Sequence, residues 1–176
     1  MDFSAKYGVG YKLKNGCYGV LFNDSTKIVL DANLFHFDYY QRGGAEDKRE
    51  SHTLFNYPQA INKKVILLQH FKSYLDGNQK FKPITCNFTH ESQPQRVLPV
   101  EDTVYLKKWK MQKETAIILF RLSNKMIHVL MPAAMGKAEE ELVITTNSVT
   151  YFNSHTKEVR KAPLNSKIDI IDPIIN

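Results

Sequence analysis

The first half of the chain alternates short apolar runs with polar turns, which is the pattern of antiparallel β-strands. One turn is Asn15-Gly16, a pair that accepts the positive φ angles of a tight hairpin, and the next is Asn23-Asp24-Ser25. Aromatic and β-branched residues in the runs add strand preference. The predicted strands are residues 7–13, 18–22, 27–30, 34–40 and 51–55, with a polar loop at 43–50.

The spacing of apolar residues changes over residues 58–76. Leu67, Phe71 and Tyr74 recur at intervals of four and three, and a second apolar series does the same, which predicts a helix. A proline at the first position suits the start of a helix, and Gly77 suits its end. The apolar face is wide, so one stripe can cover the sheet while the other must be buried elsewhere.

Residues 77–101 are rich in Asn, Gln, Lys and Pro and show little periodicity, which predicts a linker. Strand patterns resume beyond it. The tail, residues 165–176, is rich in isoleucine but is interrupted by proline and predicts no firm element. The predicted strands of the second half are residues 103–111, 115–122, 125–131, 141–147, 148–153 and 157–162.

The two halves share a faint internal repeat. The pattern of residues 11–22 returns in phase at residues 120–131, and the strand that follows each hairpin is KIVL in the first copy and ELVI in the second. The turn is longer in the second copy. A strand-rich unit that cannot bury both faces of its sheet alone has reason to pack against a copy of itself.

The composition is that of an ordinary globular protein with a basic balance. The chain has 176 residues, 43% of them hydrophobic, and a net charge of +6, which favours anionic partners. The lysines are scattered apart from two clusters, at residues 107–113 and 157–161, which are interpreted first as solvated surface. No apolar run approaches the ~20 residues that span a bilayer, the N-terminus lacks a signal-peptide pattern, and two cysteines indicate a reducing compartment.

The sequence offers little that could form a catalytic or metal centre. The histidines at 36, 52, 90 and 155 lack metal-ligand spacing, so no metal or cofactor is expected. Asp24-Ser25 has no histidine placed to activate the serine, so it is interpreted as a turn. Trp109 lies among lysines and either anchors the two halves or stacks on a base or peptide. Nucleic-acid binding rests only on charge and this tryptophan and is disfavoured.

Three segments carry a resemblance to a known family. Residues 2–30, DFSAKYGVGYKLKNGCYGVLFNDSTKIVL, resemble the first polo box of polo-like kinases. KKVILLQHFKSYLDG (63–77) resembles the helix that closes it, and YLKKWKMQKETAIILFRLSN (105–124) resembles the opening of the second box. The resemblance implies an α+β fold of two polo boxes, each a six-stranded antiparallel sheet with a helix across it, the second short of its full helix. The boxes would be residues 1–76 and 103–176, with a linker at 77–102.

The resemblance also implies a function. Paired polo boxes bind phosphorylated Ser/Thr peptides in the cleft between them, dock the kinase on its substrates and restrain the kinase domain. The chain has no Gly-rich loop, HRD-like or DFG-like motif, so we expect a non-catalytic module without the catalytic domain. The implied location is cytoplasmic or nuclear, at the centrosome, the basal body or other cytoskeletal structures, with no role for a membrane. The alternative is a structural domain that forms a homodimer independently of phosphate.

The phosphate-binding positions of the family are divergent here. Where the family has a His and a Lys, this sequence has Glu139 and Glu141, and Val129 replaces an Asn on the preceding strand. Two carboxylates in place of two cations turn attraction for a phosphate dianion into repulsion. The longer turn leaves one alternative, in which Lys137, or His128 on the preceding strand, moves into the phosphate site. We therefore expect recognition of proteins or Ser/Thr peptides with phosphate dependence weakened or lost.

The family also has an aromatic groove between its first strand and its first-box helix, which accepts apolar peptide extensions. Its positions correspond here to Phe3, Tyr7, Leu67, His70, Phe71 and Tyr74, with His70 replacing an aromatic residue. Exposed aromatic surfaces of this kind often bind partners. The other interpretation is that these side chains form the core beneath the linker.

Overall fold

The computed structural model describes residues 5–44, 46–85, 94–96, 102–133 and 139–164. The chain divides into two compact units, Met1–Tyr105 and Leu106–Asn176. The first unit contains a sheet and a helix, and the second contains a sheet. The predicted α+β class of antiparallel sheets is thereby confirmed.

The first sheet is antiparallel and its strands follow chain order, β1-β2-β3-β4-β5. Gly16 has a φ of 86°, so the Asn15-Gly16 turn uses the conformation that glycine tolerates best. The second turn holds Ser25 at a φ of 68°. Both predicted hairpins are confirmed. The strands are β1 (Gly8–Lys12), β2 (Tyr18–Phe22), β3 (Lys27–Leu30), β4 (His36–Gln41) and β5 (Lys48–Thr53).

Strand β5 begins inside the segment that the sequence predicted to be a polar loop. Its residues, KRESHT, are mostly exposed or half-buried, because β5 lies at the edge of the sheet. An edge strand with few buried side chains shows no apolar alternation. The strand predicted at 51–55 therefore lies at Lys48–Thr53 instead. The described residues supply five strands to this sheet where six were expected.

The predicted helix is confirmed as α1, Asn62–Leu75, which follows a 3₁₀ turn at Gln59–Ile61. It ends before Gly77, whose φ of 74° is the left-handed conformation of a helix C-terminus. One face of α1 packs on the sheet through Val65, Leu68 and Phe71. The core beneath it is made by Tyr18, Val20, Phe22, Ile28, Leu30, Phe37 and Tyr39.

The other face of the first sheet is contacted by two residues that follow the helix, Arg96 and Tyr105. Asp38, which is fully buried in β4, receives two hydrogen bonds from the Arg96 guanidinium and one from Ser51 Oγ at 2.7 Å. Nearby, the rings of Tyr40 and Tyr105 lie 4.1 Å apart. Arg96 of the predicted linker and Tyr105, which lies just beyond it, therefore contact the first sheet.

The second sheet is antiparallel with the order β11-β10-β9-β8-β7-β6. The part of the second unit that the structure describes contains no helix, and its most buried side chains are Leu106, Val149 and Tyr151. No described helix of the chain is long and apolar enough to cross a membrane. The strands are β6 (Leu106–Met111), β7 (Ile118–Leu122), β8 (Ile127–Met131), β9 (Glu140–Ile144), β10 (Ser148–Asn153) and β11 (Val159–Pro163).

Candidate functional site

An apolar groove lies in the first unit, where helix α1 crosses strand β1. The helix approaches the strand closely because β1 contains Gly10. A Cβ atom at this position would lie 2.4 Å from a ring carbon of Phe71, so only glycine leaves room for the ring. Phe71 itself is almost completely buried and forms the floor of the groove.

The groove has a volume of about 530 Å³ and brings together most of the residues that the resemblance placed there. Tyr74 is 53% exposed, whereas Phe71 is 9% exposed. Both interpretations of the sequence therefore describe part of the site, since the inner residues belong to the core and the outer ones face solvent. Phe3 lies outside the described residues. The lining consists of Tyr7, Leu67, His70, Phe71, Ser73, Tyr74, Asn78, Gln79 and Phe81.

Phe81 forms one wall of the groove, and sequence reasoning missed it. Its ring stacks on the His70 imidazole with centroids 3.8 Å apart and planes 20° apart, and it remains 44% exposed. The available signal was an isolated aromatic residue in an otherwise polar segment. Because the predicted linker has no periodicity, nothing in the sequence showed that this residue turns back onto the helix.

Hydrogen bonds on both sides of Phe81 hold this segment on helix α1. The buried Ser73 hydroxyl donates to the Lys80 carbonyl at 3.3 Å and accepts from the Lys82 N–H at 3.0 Å. Further along, the Ile84 N–H donates to Gln69 Oε1 at 3.1 Å. These contacts fix the segment that carries Phe81, so the wall is part of the folded unit.

A charged network ties the end of α1 to the sheet beside the groove. Asp76 accepts hydrogen bonds from Tyr18 OH at 2.5 Å, Lys72 Nζ at 2.6 Å and Lys12 Nζ at 3.3 Å. Burial disfavours the charged carboxylate, but the three donors outweigh it and lower the pKa of Asp76 to about 2. The ionised carboxylate therefore stabilises the fold.

We expect Asp76→Asn to lower the free energy of unfolding by about 1 kcal/mol at neutral pH. The pKa of Asp76 is lower in the folded state than in the unfolded chain, so its contribution is complete above about pH 4 and disappears as the pH falls towards about 2. Urea unfolding of both proteins at several pH values measures the difference. A deficit of the variant that stayed constant down to pH 2 would contradict this assignment.

The divergent phosphate positions lie in the second unit, on β8, on β9 and just before β9. Val129 lies opposite Leu142 in the register of the two strands. Glu141 Oε2 lies 3.0 Å from His128 Nε2, so this histidine is engaged by a carboxylate. The backbone carbonyl of Glu139 accepts hydrogen bonds from the backbone and hydroxyl of Ser154, and Lys137 lies outside the described residues.

The described residues do not suggest a metal centre or a reactive thiol. No three His, Cys, Asp or Glu side chains in these ranges gather closely enough to hold a metal ion. Cys17 is buried, and burial is the main cause that raises the pKa of its thiol. The chemistry of the site is therefore that of apolar and aromatic contact with a few polar groups at the rim.

Comparison with known sequences identifies relatives of this chain. Residues 5–65 match the family model for the POLO box duplicated region. The probable serine/threonine-protein kinase CCRP1 of Zea mays is 42% identical over 131 residues, which cover 73% of this chain and 19% of that protein. The serine/threonine-protein kinase PLK1 of Xenopus tropicalis is 30% identical over 173 residues, 98% of this chain and 23% of that protein. The chain thus spans about a fifth of the length of these relatives.

Comparison with solved structures identifies the same fold. The polo-box domain of Cdc5 from budding yeast superposes with a TM-score of 0.69 at 17% identity, covering 99% of this chain and 70% of that one. The same domain in complex with a Spc72 phosphopeptide gives a TM-score of 0.67 at 22% identity, covering 93% and 56%. Its complex with the Dbf4 polo-interacting region gives 0.66 at 22% identity, covering 93% and 57%.

Proposed function

Because the chain belongs to the polo-box family, we propose that it is the protein-binding and targeting module of a polo-like kinase, non-catalytic by itself. Its primary contact would be an apolar or aromatic peptide segment that lies in the groove between β1 and α1. The observation that carries this proposal is the groove itself, which holds four aromatic rings and a histidine around a cavity of about 530 Å³.

The groove has the chemistry of a peptide site. Aromatic side chains bury large areas on binding and leave a polar edge for hydrogen bonds, which is why Tyr and Trp dominate binding hot spots. Tyr74 and Phe81 both line the cavity and are both about half exposed. A bound apolar side chain would cover both rings and contact Phe71 beneath them, while Asn78 and Gln79 offer amide groups for the peptide backbone.

Charge in the second unit supports weak dependence on phosphate. Glu139, Glu140 and Glu141 are consecutive, and Glu140 Oε1 already accepts a hydrogen bond from Tyr151 OH at 2.9 Å. A charge pair at about 4 Å is worth roughly 1 kcal/mol in water and about 4 kcal/mol near a partly screened surface. Each carboxylate near a phosphate would oppose binding by an energy of this order, and His128 is engaged with Glu141.

The remaining parts of the proposal follow from the family. The module would dock the kinase on proteins of the centrosome, the basal body or other cytoskeletal structures in the cytoplasm or nucleus. It would also contact the kinase domain of the full-length protein. The Cdc5 polo-box domain has been crystallised with a Spc72 phosphopeptide and with the Dbf4 polo-interacting region.

Peptide selection against the intact chain tests the groove. We expect peptides selected from an unphosphorylated random library to carry adjacent aromatic or aliphatic residues, and Tyr74→Ala combined with Phe81→Ala to weaken their binding at least tenfold. Ile66→Ala is the matched control, because Ile66 is exposed on the same helix and does not line the groove. Equal binding by the folded double variant would reject the site.

Two further measurements separate the competing functions. The selected peptide is synthesised with Thr or phosphothreonine after its apolar segment, and the two forms should bind within about tenfold of each other. A hundredfold preference for the phosphorylated form would refute weak phosphate dependence. Light scattering at micromolar concentration tests the alternative assembly domain, because a domain that acts by dimerisation must self-associate there.

A further inference from the structure

Strand β6 lies at one end of the second sheet, and its outer edge has no strand partner in the part of the chain that the structure describes. An edge strand presents unpaired N–H and C=O groups and is a template for an added strand. The register with β7 is regular from Lys108 to Met111, beyond an irregularity between Leu106 and Lys108. Four residues of β6 therefore form a straight edge on which a strand can pair.

Two cations in the regular stretch of this edge lie on one face, and a third, Lys107, falls in the irregularity before it. Lys108 and Lys110 share a face because side chains alternate along a strand, and Arg121 of β7 lies directly opposite Lys108. All three side chains are exposed. Like charges directly opposite each other destabilise a sheet, and a salt bridge to a neighbouring carboxylate would relieve the repulsion.

No such carboxylate is found for these cations among the described residues, in contrast to several basic side chains of the first unit. Lys27 pairs with Asp47 at 2.6 Å, Lys64 with Asp24 at 2.5 Å and Lys72 with Asp76 at 2.6 Å. On the opposite edge of the second sheet, Arg160 pairs with Glu158 at 2.7 Å. Lys108, Lys110 and Arg121 thus form a group of neighbouring cations for which the described residues show no ion pair.

Edge lysines also protect proteins from unwanted strand pairing, so charge alone does not define a binding edge. The other face of β6 distinguishes the two roles. Trp109 lies opposite Phe120 and Met111 lies opposite Ile118, so this face is apolar, and Met111 is 44% exposed. A purely protective edge would carry charge on both faces, whereas the regular stretch of β6, Lys108–Met111, has one cationic face and one apolar face.

We propose that β6 is a second peptide-binding edge, which accepts an extended acidic segment of a partner protein as an added strand. The segment would alternate acidic and apolar residues. Its Asp or Glu side chains, about 7 Å apart on one face of the added strand, would pair with Lys108 and Lys110. Its apolar side chains would pack beside Trp109 and Met111. This edge is separate from the aromatic groove and does not depend on the function proposed for it.

The test uses the intact chain and two synthetic peptides of identical composition. One peptide alternates Asp or Glu with Val or Ile over eight residues, and the other has its acidic residues clustered at one end. Trp109, the only tryptophan of the chain, lies between the two lysines, so its fluorescence reports binding without a label. We expect the alternating peptide to bind at least fivefold more tightly and to weaken as salt is raised.

Charge reversal locates the binding edge. Lys108→Glu combined with Lys110→Glu should weaken binding at least tenfold, and the variant should fold because Glu at 108 would face Arg121. Arg160→Glu combined with Lys161→Glu reverses the same charge on the opposite edge strand, β11, and should change binding less than twofold. The groove variant Tyr74→Ala/Phe81→Ala should bind the alternating peptide normally, which separates the two sites.

Three results would overturn the proposal. The first is equal binding of the alternating and clustered peptides, which would mean attraction by charge alone. The second is an equal loss with the β11 variant. The third is tighter binding of single-stranded DNA or of vesicles with anionic lipid, with the same dependence on Lys108 and Lys110, because the edge would then serve a different class of partner.

Discussion

Arg96→Ala is expected to lower the free energy of unfolding of the first unit by about 3 kcal/mol, because it leaves a buried carboxylate without its cation. Asp38 is fully buried, and both of its oxygens accept hydrogen bonds from the Arg96 guanidinium. Among the residues that the structure describes, the Ser51 hydroxyl would remain as the hydrogen-bond partner of Asp38. Urea unfolding followed by circular dichroism measures the loss at neutral pH.

Two controls make this result specific. Arg42→Ala removes an exposed arginine that follows the same strand, and it should change stability by less than about 0.5 kcal/mol. Asp38→Leu combined with Arg96→Met replaces the ion pair by apolar groups and should recover most of the loss, since a buried ion pair is often no more stabilising than a well-packed apolar pair. If Arg96→Ala were as stable as Arg42→Ala, the ion pair would not hold the linker on the sheet.

Leu68→Ala is expected to destabilise the first unit by about 3 kcal/mol, through lost burial and the cavity left behind. Leu68 is fully buried at the centre of the contact between α1 and the sheet. Because α1 also carries Leu67, His70 and Phe71, loosening it should weaken peptide binding in the groove together with stability. Thermal unfolding and peptide titration of one sample measure both effects.

The matched control is two residues away on the same helix. Ile66 is 42% exposed, so Ile66→Ala removes a similar side chain from solvent and should leave both stability and binding nearly unchanged. Equal effects of the two substitutions would show that α1 does not depend on this face for its position. If Leu68→Ala lost stability but still bound the peptide normally, the groove would not depend on how α1 packs on the sheet.

Much of the fold could be predicted because its signals are local. The hairpin turns, the change of period at α1 and the glycine after it each lie within a few residues of the structure that they specify. Strand β5 was displaced because an edge strand buries too little to impose an apolar pattern. The apolar pattern of a few neighbouring residues does not show which strand will lie at the edge of the sheet.

The parts of the site that the sequence did not predict depend on contacts between distant residues. Arg96 meets Asp38 across 58 positions of the chain, and Phe81 returns to His70 from a segment without periodicity. Tyr7 and the helix residues that the resemblance named line one cavity, and their role in binding a peptide stays a prediction. The resemblance could not supply Phe81, since that position has no motif of its own.

The stack of Phe81 on His70 has a consequence for regulation of the module. A ligand that displaces the Phe81 ring must act against the hydrogen bonds that Ser73 makes to the backbone on either side of it. Binding in the cavity and the freedom of the connecting segment are therefore thermodynamically linked. By reciprocity, a partner that binds this segment must change the affinity for the cavity ligand by the same factor by which the ligand changes the affinity for that partner.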